Sequence, residues 1–248
     1  MDFRVDIFLE ALTSKSLRDG ALIAVALTIV SFVAGSGIGL IVALGRTSRF
    51  RAVRVLAWLY IWLFRALPTL VILFIVWYAL PQLIPALRGP QFLPFYAAAL
   101  GLSVNEAAYA AEIIRGGLLA VDDGQRLAAR ALGMSPSSVF RRIVAPQLVR
   151  IVIPPMANDF ITLLKLTSLA SIVSLREILT NTQAAISSNF RYAEWFSAAA
   201  IYYLVLVSIF MVGQSWLERR YVWTSQGRAG HGPSLGVLRG FGSRMDAR

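Results

Sequence analysis

Polar side chains that could handle a charged solute stand inside otherwise apolar stretches of this sequence. In one stretch, Asn105, Tyr109 and Glu112 are spaced by four and three residues, which places them on one face of a helix, with Glu106 beside that face. An isolated charge is costly inside a lipid bilayer, and it usually faces the protein interior or a water-filled cavity. We therefore predict that these side chains line a path for a polar molecule.

A second polar stripe lies in a later apolar stretch and adds a cationic group to the set. Together the two stripes offer carboxylate, ammonium and amide groups, which suit a zwitterionic solute. The alternative is a structural ion pair that joins Glu112 or Asp159 to Lys165 or to a nearby arginine. The candidates of the second stripe are Asn158, Asp159, Thr162, Lys165 and Ser168.

The composition excludes several classes of catalytic site. The sequence has no cysteine and a single histidine, His231. Thiolate chemistry is therefore excluded, and neither a histidine zinc site nor a Ser-His-Asp triad is expected. Hydrophobic residues make up 57% of the chain and charged residues 15%, against roughly 45–50% and about 25% in soluble domains. These values favour a membrane protein that binds no metal or cofactor over a soluble enzyme or a disordered chain.

Five apolar stretches are long enough to cross a bilayer, because about 20 helical residues rise roughly 30 Å. Pro81 and Pro85 are expected to end the second helix near Leu80. Four acidic residues interrupt the first 20 positions, so no signal peptide is expected there. The sequence therefore predicts an all-α integral membrane protein. Its five transmembrane helices are predicted at 21–44, 66–87, 94–114, 152–173 and 195–217.

The distribution of basic residues predicts the orientation of these spans. The loops and tail on one side carry sixteen arginines, whereas the other side carries six basic residues. The positive-inside rule then places the N-terminus outside and the C-terminus in the cytoplasm. Segment 1–19 is predicted to be extracytoplasmic, 20–221 to be the transmembrane domain, and 222–248 to be a flexible cytoplasmic tail. Because the arginines flank apolar stretches, nucleic acid is not an expected partner.

Glycines near the end of the first span superficially resemble a phosphate-binding loop at 39–47. The glycines there are one residue too far apart, and Arg46 stands where the loop needs a lysine. Gly35 and Gly39 instead form a small-xxx-small pair, which lets another helix approach closely. We therefore predict helix packing at this segment.

The longest loop, about 115–150, is predicted to form two short helices. Asp122 and Gln125 have the spacing of a capping box, and Gly133 can end the helix that they start. Ser135 and Pro136 suit the first positions of a second helix, which Met134 and Val139 would staple. Pro146 is expected to end that helix, because it disfavours the helical conformation at Ala145. The pattern alone fits a membrane-surface helix or a protein-docking element equally well.

This loop carries a resemblance to a known family. The run EIIRGGLLAVDDGQRLAARALGMS at 112–135, continued by FRRIVAPQ at 140–147, resembles the cytoplasmic EAA loop of ABC importer permeases, specifically of the polar amino-acid uptake branch. Three further segments agree with that family in order, so the resemblance extends over about residues 20–221. They are FRALPTLV at 64–71, AAYAAEIIRGG at 107–117 and PPMANDFITLLKLTSLAS at 154–171.

The resemblance implies the type I ABC importer permease fold and a multi-pass subunit in the bacterial inner membrane. Such a subunit pairs with a second permease, identical or related, and binds two cytoplasmic ATPase subunits, which carry ATP and Mg²⁺. An extracytoplasmic solute-binding protein delivers an amino-acid substrate, and the permease itself is not an enzyme. The resemblance places the coupling helix near residues 135–143. The residues expected to couple to the ATPase are Gly124, Ala128, Ala129, Gly133, Ser135, Phe140 and Arg141.

Alternatives remain open at the level of sequence. The cargo could be an amino-acid-like solute such as an opine or ectoine. An ion-coupled secondary transporter would usually have more spans with internal repeats, and a membrane-embedded enzyme would need a nucleophile or an acid–base cluster. Two positions depart from the family pattern. Leu127 stands where the loop usually has Glu, and Leu166 stands where relatives usually carry Asp.

Overall fold

The computed structural model describes residues 3–221, and all the regular secondary structure in that range is helical. The predicted tail at 222–248 lies outside the described residues. Short π-helical or 3₁₀ turns at Ile75–Ala79, Pro85–Arg88, Phe140–Val144 and Thr167–Val173 link several of the α-helices. The helices are α1 Val5–Thr13, α2 Lys15–Arg46, α3 Arg51–Ala66, α4 Thr69–Phe74, α5 Leu80–Leu83, α6 Pro94–Ala120, α7 Asp123–Ala131, α8 Pro136–Val139, α9 Ala145–Leu166, α10 Ile178–Asn189 and α11 Tyr192–Tyr221.

Several of these helices are long and apolar enough to cross a membrane. By length and composition, Lys15–Arg46, Pro136–Val173 and Tyr192–Arg220 qualify, and the bent pair formed by α3 with Thr69–Leu83 qualifies if it counts as one span. Helix α6 has 27 residues, which rise about 40 Å, but its buried polar residues lower its hydropathy. The predicted count of five spans therefore stays a prediction.

The second predicted span, 66–87, has the wrong boundaries. Helix α3 ends at Ala66, and α4 begins at Thr69 after a bend of 104°. Pro68 causes this break, because the residue before a proline is pushed to an extended conformation, as Leu67 is at ψ 136°. Sequence reasoning also missed α3 itself, since its arginines suggested a loop.

The predicted short helix that ends at Pro146 is also wrong. The chain continues as a helix from α8 through the π-helical turn at Phe140–Val144 into α9, and Ala145 keeps helical angles of −62° and −41°. Pro146 thus lies inside a continuous helix directly after the π-helical turn, a position where proline removes a backbone hydrogen bond. The wider π turn absorbs the mismatch that the proline ring would cause in a regular α-helix.

The close approach of α2 to α6 forms the centre of the fold. A methyl group at Gly39 would lie 2.8 Å from the carbonyl oxygen of Ala107 and 2.8 Å from the Cβ of Ala110. One at Gly35 would lie 2.6 Å from the Cγ of Glu106. The predicted small-xxx-small pair is therefore confirmed, since only glycine fits where these backbones meet.

A buried carboxylate, Glu177, joins the beginning of α10 to the first part of α2 and to α11. Glu177 is fully buried and caps α10, because its oxygens accept hydrogen bonds from the backbone N–H groups of Leu179 and Thr180, each at 2.8 Å. The Tyr203 hydroxyl of α11 donates a third hydrogen bond at 2.8 Å. Gly20 of α2 packs directly on this cap. The cap therefore ties α10 to both α2 and α11.

The packing of α2 on α6 makes Gly39→Ala a test of the fold. We expect this substitution to destabilise the protein by about 1–3 kcal/mol, the usual cost of overpacking. The control is Gly37→Ala on the same helix, because nothing lies within 4 Å of the added methyl group there. Thermal unfolding in detergent should show a lower midpoint for Gly39→Ala and an unchanged or higher one for Gly37→Ala. Equal midpoints for the two variants would contradict the close approach.

Candidate translocation path and coupling loop

Two acidic side chains from different helices meet inside the helical bundle. Glu106 of α6 is only 2% exposed, and its carboxyl group faces that of Asp159 on α9, which is half-buried. Glu106 Oε1 and Asp159 Oδ2 are both buried, and no backbone, hydroxyl, amide or basic side-chain donor among residues 3–221 reaches either oxygen. Buried polar atoms are normally paired. The pair therefore offers free acceptors to a solute that carries N–H donors.

The residue before Glu106 on α6 is a second buried polar group without a partner. Asn105 is as deeply buried as Glu106, and its Oδ1 also lacks a hydrogen-bond partner in the described chain. Carboxylate and amide oxygens accept hydrogen bonds. Two ionised carboxyl groups this close would repel each other, and a cationic donor bound beside them would relieve that repulsion. The site is thus chemically suited to an ammonium or guanidinium group.

The other members of the α9 stripe point elsewhere. Asn158, Thr162 and Lys165 lie on the exposed side of α9, and the Thr162 hydroxyl donates to the Asn158 carbonyl at 3.1 Å. The Ser168 hydroxyl likewise donates to the Lys165 carbonyl at 2.8 Å. Within the described range, no carboxylate forms an ion pair with Lys165. The alternative ion pair between Lys165 and Glu112 or Asp159 is therefore wrong.

Glu112 belongs to a separate cluster of arginines. Its carboxylate accepts two hydrogen bonds from Arg115, at 3.0 and 2.8 Å, and lies 3.9 Å from Arg65. The Arg65 guanidinium also lies over the Tyr109 ring, 5.5 Å from its centroid. The alternative in which Glu112 pairs with a nearby arginine is confirmed. The predicted face of α6 thus divides between two environments, since Glu112 lies six residues, or about 9 Å of helix, from Glu106.

Sequence reasoning did not predict that Glu106 and Asp159 meet. They belong to different helices, and helical periodicity relates only residues within one helix. The sequence marked the two residues individually, because each is an acid inside an apolar stretch, but it did not indicate that they meet. Among residues 3–221, no group of three or more metal-ligating side chains is arranged to hold an ion.

The loop between α6 and α9 is folded by local capping. The Asp122 side chain accepts a hydrogen bond from the Gly124 N–H at 2.7 Å and so starts α7. Gln125 does not complete the predicted capping box. Its side-chain oxygen instead accepts a hydrogen bond at 2.6 Å from the amide of Gln147 on α9. This bond ties α7 to the beginning of the long helix.

Gly133 ends α7 in the left-handed conformation that the sequence predicts. Its φ is +79°, its N–H bonds to the Arg130 carbonyl at 2.9 Å, and the Met134 N–H bonds to the Ala129 carbonyl at 3.2 Å. These two bonds define a Schellman motif. Ser135 then caps α8 through the Ser138 N–H at 3.3 Å. Helices α7 and α8 are thereby held at a fixed angle.

A small apolar cluster fixes the inner side of this loop, and its outer side exposes large apolar residues. Ala129 and Val139 are buried together, and Met134 packs against them, which fits the predicted staple. Leu127 is 64% exposed, Leu132 83% and Phe140 45%. Ala128 and Arg141 are exposed as well. Exposed apolar side chains on a folded loop are typical of a protein-binding surface.

Comparison with known protein families identifies the class of this fold. Residues 35–223, well over half of the chain, match the family described as binding-protein-dependent transport system inner membrane component. The matched region begins at Gly35 and contains both the acidic pair and the loop between α6 and α9.

Individual relatives agree with this match. The chain is 43% identical over 181 residues to the probable amino-acid permease protein YxeN of Bacillus subtilis. The aligned region covers 73% of this chain and 80% of the relative. It is 37% identical over 226 residues to the arginine transport system permease protein ArgU of Corynebacterium glutamicum, covering 87% and 71%. A solved structure of an amino acid ABC transporter with histidines superposes with a TM-score of 0.79 at 31% identity, covering 89% of this chain and 99% of that one.

The Schellman motif makes Gly133 a test of the loop structure. In Gly133→Val, a β-branched residue would have to adopt a positive φ, which strains the backbone although nothing lies within 4 Å of the added Cβ. We expect amide hydrogen exchange across 123–139 to become faster in this variant. Asn tolerates the left-handed region better, so Gly133→Asn should keep much of the protection. Equal protection in Gly133→Val and wild type would contradict the assigned cap.

Proposed function

We infer the function of this chain from its family: it belongs to the binding-protein-dependent transport system inner membrane components. It is the permease subunit of an ATP-driven amino-acid importer in the inner membrane, and it is a transport subunit rather than an enzyme. Its partners are an ATPase and an extracytoplasmic solute-binding protein. The observation that carries this conclusion is the match of the family to residues 35–223.

The complete importer contains two permease chains and two ATPase subunits. We assign five spans to this chain, with α6 as the third, so that the N-terminal helix α1 is extracytoplasmic and the arginine-rich loops and the tail are cytoplasmic. ATP and Mg²⁺ bind to the ATPase subunits. The second permease is identical or related, and it covers the exposed polar side of α9, where Asn158, Thr162 and Lys165 lie.

The acidic pair is the part of the path that binds the positive end of the cargo. Glu106 and Asp159 offer unpaired carboxyl oxygens, and Asn105 offers an unpaired amide oxygen. These acceptors suit the α-ammonium group of an amino acid or a basic side chain. Lys165, with Ser168 near it, would meet the carboxylate end. The similarity to an arginine permease supports a cationic amino acid as cargo.

The loop between α6 and α9 transmits the movement of the ATPase. Its exposed side, formed by Leu127, Leu132 and Phe140, docks on the ATPase, with Arg141 and Ala128 nearby. ATP binding draws the two ATPase subunits together, and the loops follow. The continuous helix from α8 through α9 then carries the displacement to Asp159, which lies on α9. The path thereby alternates between outward and inward access.

The first test of this mechanism is Glu106→Gln. This change keeps the size of the side chain and its hydrogen-bonding capacity but removes its ability to ionise. A hydrogen bond to a charged group contributes about 1.5–3 kcal/mol, so we expect uptake of a basic amino acid to fall by about tenfold or more, with a smaller loss for a neutral one. The measurement is uptake of labelled amino acids into proteoliposomes that contain the permease, ATPase and binding protein.

The matched control for this test is Glu10→Gln, because Glu10 is an exposed acid on α1 outside the predicted path. It should transport both substrates at the wild-type rate. Equal transport of all substrates by Glu106→Gln would remove Glu106 from the path. Loss of the assembled complex would instead assign Glu106 a structural role at the contact between α2 and α6.

A further inference from the structure

A polar cavity lies apart from the acidic pair, where the end of α2 meets α3 and α6. Its volume is about 420 Å³, and both charged and aromatic side chains line it. Arg46 comes from α2, Arg65 from α3, and Arg115 with Glu112 from α6, while Trp58 and Trp62 form its rim. The transport mechanism derived above assigns no role to this cavity.

The cavity carries more positive than negative charge. Three guanidinium groups surround Glu112, the only carboxylate among its lining residues. Arg115 holds that carboxylate with two hydrogen bonds, and Arg65 approaches it at 3.9 Å. The Glu112 carboxylate is therefore occupied, and two positive charges remain without a counterion in the cavity.

Arg46 is the least satisfied of the three arginines. Arg46 forms no ion pair with any residue from 3 to 221. Its Nε is buried and has no hydrogen-bond partner in that range. A buried donor without an acceptor costs about 1–3 kcal/mol, and more when it is charged. A bound anion would remove that cost, since a guanidinium can donate two parallel hydrogen bonds to a phosphate group.

The position of the cavity limits the identity of this anion. Arg46 is the last residue of the long apolar helix α2, so it lies where such a helix leaves the hydrocarbon core. Trp58 and Trp62 are about half-exposed, and their rings stack 6.2 Å apart. Tryptophan is enriched at the level of the lipid headgroups. The cavity therefore opens at headgroup depth.

The surface beside the cavity is apolar. Leu56, Leu59 and Leu63 of α3 are exposed large hydrophobic residues on the helix that also contributes the two tryptophans. An acyl chain can lie along such a surface, whereas a free anion in water gains nothing from it. The combination of excess positive charge, an arginine without an ion pair, tryptophan rings and an apolar helix face suits a molecule with an anionic head and a hydrocarbon tail.

We propose that this cavity binds the phosphate group of an anionic phospholipid. Arg46 and Arg65 donate hydrogen bonds to the phosphate oxygens, the tryptophan rings flank the headgroup, and the acyl chains lie against the exposed leucines of α3. The bound lipid joins the end of α2 to α3 on the arginine-rich side of the protein. Basic pockets between membrane helices are known sites for anionic headgroups on that side.

Native mass spectrometry of the assembled transporter, released from nanodiscs of mixed phosphatidylglycerol and phosphatidylcholine, tests this proposal. We expect phosphatidylglycerol to remain bound under conditions that strip phosphatidylcholine. Arg46→Gln should reduce the retained phosphatidylglycerol by at least about fivefold, since one bidentate contact is lost. The control is Arg51→Gln, an exposed arginine of the same region that does not line the cavity, and it should retain lipid as the wild type does.

Three results would overturn the proposal. Equal retention of the two lipids would mean that the cavity has no preference for an anionic headgroup. An equal loss in Arg46→Gln and Arg51→Gln would indicate diffuse attraction to surface charge. Displacement of the lipid by millimolar inorganic phosphate would indicate a site for a free anion.

A measurement on the wild-type transporter covers the case in which Arg46→Gln fails to assemble. Brominated phosphatidylglycerol should quench the tryptophan fluorescence at least about twofold more strongly than brominated phosphatidylcholine, and high salt should reduce this difference. Equal quenching by the two brominated lipids would also refute the site.

Discussion

The contact between α2 and α6 is the constraint on which the rest of the structure depends. Gly35 and Gly39 let the two backbones approach so closely that a single methyl group at either position would overlap the partner helix. Gly35 lies directly against Glu106, so the same contact that holds the helices together also buries the central carboxyl group and leaves Asp159 as its neighbour across the bundle. Packing and the proposed cargo binding therefore share one interface.

Helix α6 separates two polar environments that have different tasks. The acidic pair at Glu106 leaves oxygen atoms unsatisfied, which suits the transient binding of a cationic group. One and a half turns further on, Glu112 is already neutralised by Arg115 and Arg65, which suits a fixed structural cluster. In the proposed mechanism, a cationic cargo binds at the first site without breaking an ion pair at the second. The difference between the sites lies in whether the protein supplies the counter-charge.

Local signals in the sequence were sufficient to predict part of the fold. The left-handed cap at Gly133 and the N-cap at Ser135 depend on residues close in the chain, and the structure confirms them. The spacing of Gly35 and Gly39 likewise predicted a close helix contact, although it did not identify α6 as the partner. Proline was harder to interpret. Pro68 breaks the chain between two helices, whereas Pro146 follows a π-helical turn and leaves the helix continuous. The pairing of Glu106 with Asp159 was not predictable, because it depends on tertiary packing.

Measuring which energy source drives uptake tests the central claim most directly. The cargo is a labelled basic amino acid, and the proteoliposomes contain this permease, its ATPase and the binding protein. We predict uptake that requires ATP and the binding protein and that does not respond to a sodium or proton gradient alone. Uptake driven by an ion gradient without the ATPase would contradict this account and would assign the chain to the ion-coupled secondary transporters.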